Sequence, residues 1–473
     1  MTPPVTLTAK NETVACNLYY KNVSRPVNTA SLSQLYSKLK FPAILGGNPS
    51  VSRFSYWGAE PKEIFEFYAD DKNPFGKLSK IISKYKLNEN YENDLPKGIF
   101  CGGWIGYFAY ELGRFIEKIP HKTIDDLKTP LIRLCFYDKA LCYDHAERIF
   151  RLIVLQLPDD TESPDEKLEN LEQRLAESEK ISVAPSAAAN LETIDFSPMR
   201  SNMCQLYYRR AVEKIKRYIY DGDVYQVNFS QRFECDYAAK PIDLFHWQNR
   251  YNPSPYSAYI DAGQFQIVSA SPEMFVTITG RAIETKPIKG TRPRTSDENL
   301  NKKYFEELTG SVKEQAELNM IIDLERNDMA RICVPGTRIV SQPRTIETYP
   351  TVFHAVATVA GKLRDEIPFC DILKAMFPGG SITGAPKVSS MKIIDETEPT
   401  TRGVYTGSIG FLGIDGTSSL NIAIRTIIIA NQKAYAQTGG GIVADSDGDA
   451  EWNETLTKAR ALIAGIAAVA RRA

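Results

Sequence analysis

One lysine, Lys289, stands in Glu284-Thr285-Lys286-Pro287-Ile288-Lys289-Gly290-Thr291 between a stiff proline-isoleucine pair and a glycine. The apolar run Met274 to Ile278, a Thr279-Gly280-Arg281 turn and a second strand-like run predict a hairpin whose return strand ends at Lys289. A strand end is rigid enough to aim an amine. Gly290 lets a ligand or another backbone come close, and Thr291 adds a hydroxyl. Taken alone, the pattern more often describes a surface lysine before a turn. Two E-x-x-E pairs, Glu314 with Glu317 and Glu451 with Glu454, each fall in an expected helix, where i, i+3 spacing sets both carboxylates on one face. A bound Mg²⁺ would relieve their repulsion, since it takes oxygens from one or two carboxylates and keeps several waters. The plainer alternatives are a capping box over Ser311-Val312-Lys313-Glu314 with Lys313 paired to Glu317, and an acidic first turn favoured by the helix dipole.

Other segments offer partners for such chemistry. Thr438-Gly439-Gly440-Gly441-Ile442-Val443 follows a strand and precedes the helix of the second acidic pair, so its N–H groups could face an anion; a β-bulge or a crowded sheet crossing reads equally well. In Leu420-Asn421-Ile422-Ala423-Ile424-Arg425-Thr426 the alternation sets Arg425 opposite three apolar side chains. That suggests a carboxylate partner for its guanidinium fork, or an exposed sheet face. Phe377 to Lys387 is not a phosphate loop, because Ala385-Pro386 stands where such a loop needs Lys then Ser or Thr. Glu273, in Ser271-Pro272-Glu273 after a strand, becomes a proton donor if burial raises its pKa. His354 reads on its own as a satisfied core histidine.

The elements that must position these groups are short strands broken by Gly, Pro and Asn, interleaved with helices around Ser31 to Leu39, up to Tyr220 from a cap at Ser201 or Asn202, from about Ser311 to Leu324, and from near Asp449. Gly102-Gly103-Trp104-Ile105-Gly106 reads as a tight hairpin and lacks dinucleotide spacing. Residues 1–157 form a β-rich N-terminal region. Residues 158–195, with a short helix carrying Leu168, Leu171 and Leu175 and the loose Ala184-Pro185-Ser186-Ala187-Ala188-Ala189 tract, read as a linker, and residues 196–473 as the catalytic region, the regions being expected to form one compact domain whose two sheets such a tract could join. Strands and helices mix without βαβ alternation, so the fold class is α+β with large antiparallel sheets.

Composition narrows the partners. In 473 residues, 57 Lys plus Arg balance 58 Asp plus Glu, so the net charge of −1 gives no general pull toward nucleic acid or anionic membrane. Met1-Thr2-Pro3-Pro4-Val5 opens no targeting pattern and no run reaches membrane-spanning length, so the chain reads as cytoplasmic. Eight cysteines without a C-x-x-C pair and four histidines without H-E-x-x-H disfavour zinc and disulfides. The cysteines read as reduced, mostly buried thiols.

From about residue 196 to 465 the chain resembles the chorismate-utilising enzymes, through Gly222-Asp223-Val224-Tyr225-Gln226-Val227-Asn228, Ser271-Pro272-Glu273, Pro287-Ile288-Lys289-Gly290-Thr291, Asp323-Leu324-Glu325-Arg326-Asn327-Asp328, Phe377 to Lys387, Ile424-Arg425-Thr426 and Gly439 to Val443. The resemblance implies two large antiparallel sheets packed between helices and Mg²⁺-dependent attack on chorismate. It places Glu317 and Glu454 on the metal with Glu314 and Glu451 in support. It sets Thr291, the Gly439-Gly440-Gly441 run and Lys458 around the ring carboxylate, Arg425 and Tyr405 on the enolpyruvyl carboxylate, and His354 against the ring. Relatives that form anthranilate carry Ala in place of Lys289. The branch implied here, which forms aminodeoxychorismate, uses the Lys289 amine on ring carbon 2 while Glu273 protonates the departing 4-hydroxyl, and ammonia then displaces the lysine at carbon 4. An amine with a free pKa near ~10.4 must then be partly neutral, which burial and a nearby cation favour. Gln226 stands where water-adding relatives have lysine, and an amide cannot deprotonate water.

No glutamine-hydrolysing region with a nucleophilic cysteine is recognisable, so the resemblance implies ammonia from a separate glutamine amidotransferase subunit. Some relatives hold tryptophan against a segment like Asn252-Pro253-Ser254-Pro255-Tyr256, which is present, while Ile44-Leu45-Gly46-Gly47-Asn48 replaces their serine motif. The competing expectations are anthranilate formation and a non-catalytic amino-acid-binding relative.

Overall fold

Two sheets share one interior. The computed structural model describes residues 13–26, 28–88, 94–184, 187–189 and 191–470; Met1 to Val5 and, within the loose tract, Pro185 and Ser186 lie outside the described residues. A thirteen-stranded sheet runs from the C-terminal strands Gln226–Asp236, Lys433–Ile442, Thr426–Ala430, Phe265–Ser271 and Tyr256–Asp261 into the N-terminal strand Ala43–Leu45 and beyond. A ten-stranded sheet joins Ile288–Pro293, Val352–Lys362, Ala282–Lys286, Met274–Thr279, Ser418–Asn421 and Ser408–Gly413 to the N-terminal strand Gly103–Phe108. Pairing is antiparallel except where Val14–Cys16 runs parallel to Tyr85–Leu87. Both sheets therefore cross the linker, and each takes strands from both sides of it.

Alternating apolar residues of the two sheets close the main core, with Tyr56, Phe100, Ile105, Ile267 and Phe411 among its buried members. The outer face of the larger sheet is covered by Pro164–Ser178, Pro241–Tyr251 and Gly448–Ala470, whose Leu171, Trp247 and Leu462 pack on Leu152, Val268 and Ile427. Ser163 and Glu166 form the capping box that starts the first of these helices. The helix Val312–Ala330 covers Ile288–Pro293 and Val352–Lys362. The outcome is the α+β arrangement of two antiparallel sheets between helices that the sequence predicts.

Three local expectations differ. Gly103–Phe108 is not a hairpin but a fully buried strand with a partner on each edge, Ile132–Tyr137 and Ser408–Gly413. The helix Gln205–Tyr220 starts after Cys204 without a side-chain cap, because Ser201 belongs to a strand and the Asn202 side chain is taken by Arg232 N–H and Thr400. The helix expected to stop near Leu324 runs on to Ala330. The Ser31 to Leu39 helix spans Thr29–Tyr36, capped by Asn28. Cys204 is exposed and the other seven cysteines are buried; all eight are free thiols.

Candidate active site

The hairpin Met274–Thr279 with Ala282–Lys286 forms as the apolar runs require, but Lys289 does not end it. Pro287 interrupts the return strand, and Lys289 is the second residue of the next strand, Ile288–Pro293. Ile288 pairs with Val356 and Thr291 with His354, so three steps on one strand face two on the other. Lys289 and Gly290 are the bulge, which re-aims a side chain and sharpens the local twist. Gly290 has φ +98°, and a Cβ there would lie 2.8 Å from Leu308 and 3.0 Å from the Glu314 carboxyl. Glycine is therefore required twice over, by the backbone and by space.

Lys289 is half-buried and makes no hydrogen bond or ion pair with any described residue. Burial pulls its pKa below the ordinary lysine value; Lys458 pushes the same way, against the charges of Glu317, Glu273 and Glu454. Glu273, 3% exposed, has its carboxyl pushed up by desolvation, and its Oε1 accepts the Ile288 N–H at 3.3 Å. An amine held toward neutrality and a carboxyl held toward its protonated form thus adjoin across one residue.

The acidic pairs approach this amine from two helices. Ser311 accepts from the Glu314 N–H, but Glu314 does not complete the capping box: it turns to Arg292 at 2.8 Å, leaving Oε2 buried without a partner. Lys313 pairs with Asp445, not Glu317, because the loop after the glycine strand reaches the start of this helix. Glu317 is left half-buried with no ion pair among the described residues. On the C-terminal helix Glu451 accepts from Ser446 at 2.6 Å, and burial, with Glu454 beside it, raises its pKa. Burial also works to raise Glu454, yet Lys458 at 2.6 Å, with Lys289 and Lys313 behind it, outweighs that and holds it low. Among the described residues no three acidic, histidine or cysteine groups converge tightly enough to enclose an ion by themselves.

Gly439, Gly440 and Gly441 lie inside the strand Lys433–Ile442, paired with Ser230, Phe229 and Asn228, and none has a left-handed φ. They do not follow the strand but lie inside it, and beyond Ala436 its other edge has no strand partner among the described residues. They clear space: a Cβ on Gly440 would stand 3.0 Å from Glu451 and 3.3 Å from Glu454, and one on Gly441 2.2 Å from the Gln226 amide nitrogen. Gln226 is 1% exposed, with neither amide atom partnered. Lys458 donates to the Gly439 carbonyl at 2.8 Å.

Arg425 is not on a strand. The apolar run breaks between Ser418–Asn421 of one sheet and Thr426–Ala430 of the other, and Arg425 sits in that crossing at φ +52°. Its Nη1 donates to the Lys458 carbonyl at 3.1 Å, and no carboxylate among the described residues pairs with it. Burial lowers its pKa from the ordinary arginine value. The expected carboxylate partner is absent among the described residues, which leaves the fork open to a ligand acid. Tyr405, 6% exposed, lies within the influence of Arg425 and Arg402, and burial raises its phenol. His354, 5% exposed, shares a 2.8 Å hydrogen bond between Nδ1 and the Thr291 hydroxyl, and burial with Arg425 pulls its pKa down to about 3. A neutral imidazole is the result.

Sequence reasoning gave no role to Glu325, Ser381 or the fully buried Arg402–Glu398 pair. Glu325 had a signal: Leu318, Ile321, Ile322, Glu325 and Met329 share one helical stripe, so an acid stands on an apolar face. Ser381 and Arg402 had none, because the turn of Ser381 packs on the helix Val312–Ala330 and Arg402 is held by the Ile382 and Asn228 carbonyls, all remote in sequence.

Comparison with known proteins gives the family. The family model for chorismate binding enzymes matches residues 45–464. Aminodeoxychorismate synthase component 1 of Bacillus subtilis is 41% identical over 363 residues, 77% of this chain and 76% of that protein. Anthranilate synthase component 1 of Aquifex aeolicus is 35% identical over 426 residues, 88% of this chain and 85% of that one. The crystal structure of anthranilate synthase component I from Streptococcus pneumoniae superposes with a TM-score of 0.73 at 31% identity, covering 87% of this chain and 92% of that chain. The chain belongs to the chorismate-binding enzymes, and its bulged lysine, open arginine and facing acidic helices lie within the matched span.

Proposed function

We propose that this enzyme aminates chorismate at ring carbon 4, giving 4-amino-4-deoxychorismate, as the synthase component of a two-part system. The observation that carries the reading is the Lys289 amine: unpaired, partly desolvated and presented by a bulge next to a buried carboxyl. Its neutral form attacks ring carbon 2 of chorismate while Glu273 gives a proton to the departing 4-hydroxyl, which leaves as water. Ammonia adds at carbon 4 and expels the lysine. Arg425 and Tyr405 hold the enolpyruvyl carboxylate, Thr291, the Gly439 to Gly441 run and Lys458 border the ring carboxylate, and neutral His354 lies against the ring.

A Mg²⁺ ion would be held by Glu317 and Glu454, with Glu314 and Glu451 behind them, and would supply positive charge for the ring carboxylate. Hard oxygen donors from two facing helices suit that ion, which needs few protein ligands because it retains waters. The unpaired Glu317 and the unpartnered Glu314 Oε2 are groups such an ion would satisfy. Ammonia is supplied by a separate glutamine amidotransferase, in keeping with the "component 1" in the relatives' names. A cavity of about 250 Å³ lined by Leu45, Gly46, Ser52, Arg53, Pro255 and Tyr256 offers room for an amino acid, while Ile44 to Asn48 in place of the serine motif speaks against tryptophan.

The second reading, anthranilate formation, is favoured by the Aquifex aeolicus likeness and opposed by Lys289, which fills the space that a small residue leaves for ammonia at carbon 2. One assay separates them. Chorismate, Mg²⁺ and ammonium are supplied with and without a lyase that converts aminodeoxychorismate to para-aminobenzoate, for wild type and Lys289→Ala. The proposal requires para-aminobenzoate only with the lyase and only from wild type. Direct anthranilate formation by wild type, or a Lys289→Ala variant of unchanged rate and product, contradicts it. Amino acid binding without any chorismate turnover would point instead to a non-catalytic relative.

A further inference from the structure

Behind Glu273 lies a second buried acid. Glu325, 2% exposed, accepts the Gly380 N–H on Oε1 at 3.0 Å, and its Oε2 is buried without a partner. The next residue, Ser381, is also buried, and its hydroxyl lies beside the Glu273 carboxyl, outside good hydrogen-bond geometry with any described group. Buried polar atoms are rarely left unpaired, so two in one place call for a use. The charged groups facing Glu325 are Lys387 from the helix Lys387–Thr397, Asp328 from its own helix, and Glu273. Lys387 is already held by Asp328 at 2.5 Å and by the Met376 carbonyl at 2.8 Å, so Glu325 has no cation of its own. Asp328 also meets Arg331, whose side chain is 52% exposed, which brings the array to the surface. Burial, with Asp328 and Glu273 adding to it against Lys387, pushes Glu325 up to about 7, where a carboxyl can both hold and release a proton at neutral pH.

We propose that Glu325 is a positioning residue for Glu273, a proton store that exchanges one proton with it through the Ser381 hydroxyl. The proposal rests on the reading of Glu273 as the proton donor. When Glu273 has protonated the departing hydroxyl, the Ser381 O–H donates to the new carboxylate as the Glu325 proton moves onto Ser381 Oγ. The negative charge passes from Glu273 to Glu325, which Lys387 faces. The attacking amine, which carries one proton too many after bonding to carbon, returns a proton to Glu273, and the exchange runs back. No proton is gained or lost over the cycle.

The test uses Glu325→Gln, which keeps shape and can still accept from Gly380, with Ser381→Ala as a second, milder variant and Glu273→Gln as the control. Rates with chorismate, Mg²⁺ and ammonium are measured across pH. Glu325→Gln is expected to lower kcat about tenfold or more, with the chorismate KM changed less than about twofold. It should also shift the alkaline fall in rate expected of wild type, leaving only the fall that Glu273 sets by itself; Ser381→Ala should lower kcat in the same direction, and Glu325→Asp should restore part of it. A wild-type rate and profile in Glu325→Gln overturns the store, as does a loss in which KM rises in step with an unchanged profile. If Glu273→Gln is inactive while Glu325→Gln behaves as wild type, only the store fails. If Glu273→Gln is as active as wild type, the reading of Glu273 fails and the store with it.

Discussion

Two lysines of this chain are removed from water in opposite ways. Lys167, with a side chain 1% exposed, lies on the buried face of the helix Pro164–Ser178 and is held by Asp138 at 3.1 Å, by Asp160 and by the Leu155 carbonyl at 3.3 Å. Lys289 keeps more accessible surface and has no partner at all among the described residues. Depth does not distinguish a structural ammonium from a reactive one; satisfaction does. A buried charge that is paired and hydrogen-bonded on every side stabilises by being left in place, whereas an unpaired amine in a low-dielectric cleft relieves its cost by giving up the proton. The same contrast separates two arginines. Arg402 is fully buried on Glu398 and the Asn228 and Ile382 carbonyls, while Arg425 has one backbone carbonyl and an open fork.

The comparison can be broken at its reactive end first. Lys289→Ala should lower amination of chorismate by about 10³-fold or more, since groups that act as one covalent unit are not replaced piecemeal. Glu273→Gln should cost about 10²- to 10⁴-fold in kcat. For wild type the signs are opposite. Lys289 must lose its proton and its pKa is lowered, so rate rises with pH through that value. Glu273 must keep its proton and its pKa is raised, so rate falls as pH passes it. A bell in kcat/KM follows whose two limbs lie closer together than the free carboxylate and lysine values, and limbs at those free values would contradict it.

Smaller effects sharpen the picture. Gly440→Ala puts a methyl against Glu451 and Glu454, and should raise the Mg²⁺ concentration needed for half-maximal rate about tenfold while leaving the fold intact. Lys167→Met should leave product and kcat within about twofold of wild type. Its cost falls on stability instead, about 3 kcal/mol or less in denaturant unfolding, because Asp138 and Asp160, 2% exposed, lose one of their two cations and keep only Lys62. A Lys167→Met protein that is stable but inactive would dissolve the contrast.

Much of this was legible in the sequence where the information is local. Hydrophobic alternation gives the hairpin before Lys289, and the period of the 312–330 helix gives the face that carries Glu314 and Glu317. The distortions were not legible. The bulge at Lys289 and Gly290 comes from pairing with Val352–Lys362, more than sixty residues away, and the left-handed Arg425 from the crossing between sheets. The glycines at 439 to 441 suggest a loop until the C-terminal helix is seen to need the space beside them. Charge pairing is likewise a tertiary fact: Lys313 reaches Asp445 and Glu314 reaches Arg292, neither of which the helix spacing names.

The most direct test of an amine that acts as a nucleophile is to catch it bonded. Intact-protein and peptide mass spectrometry after incubation with chorismate and Mg²⁺, without ammonia, should show a gain equal to chorismate less one water on the peptide containing Lys289. Adding ammonium should discharge that adduct as 4-amino-4-deoxychorismate. An enzyme that turns chorismate over with ammonium yet shows no adduct on Lys289 under any of these conditions would contradict the account.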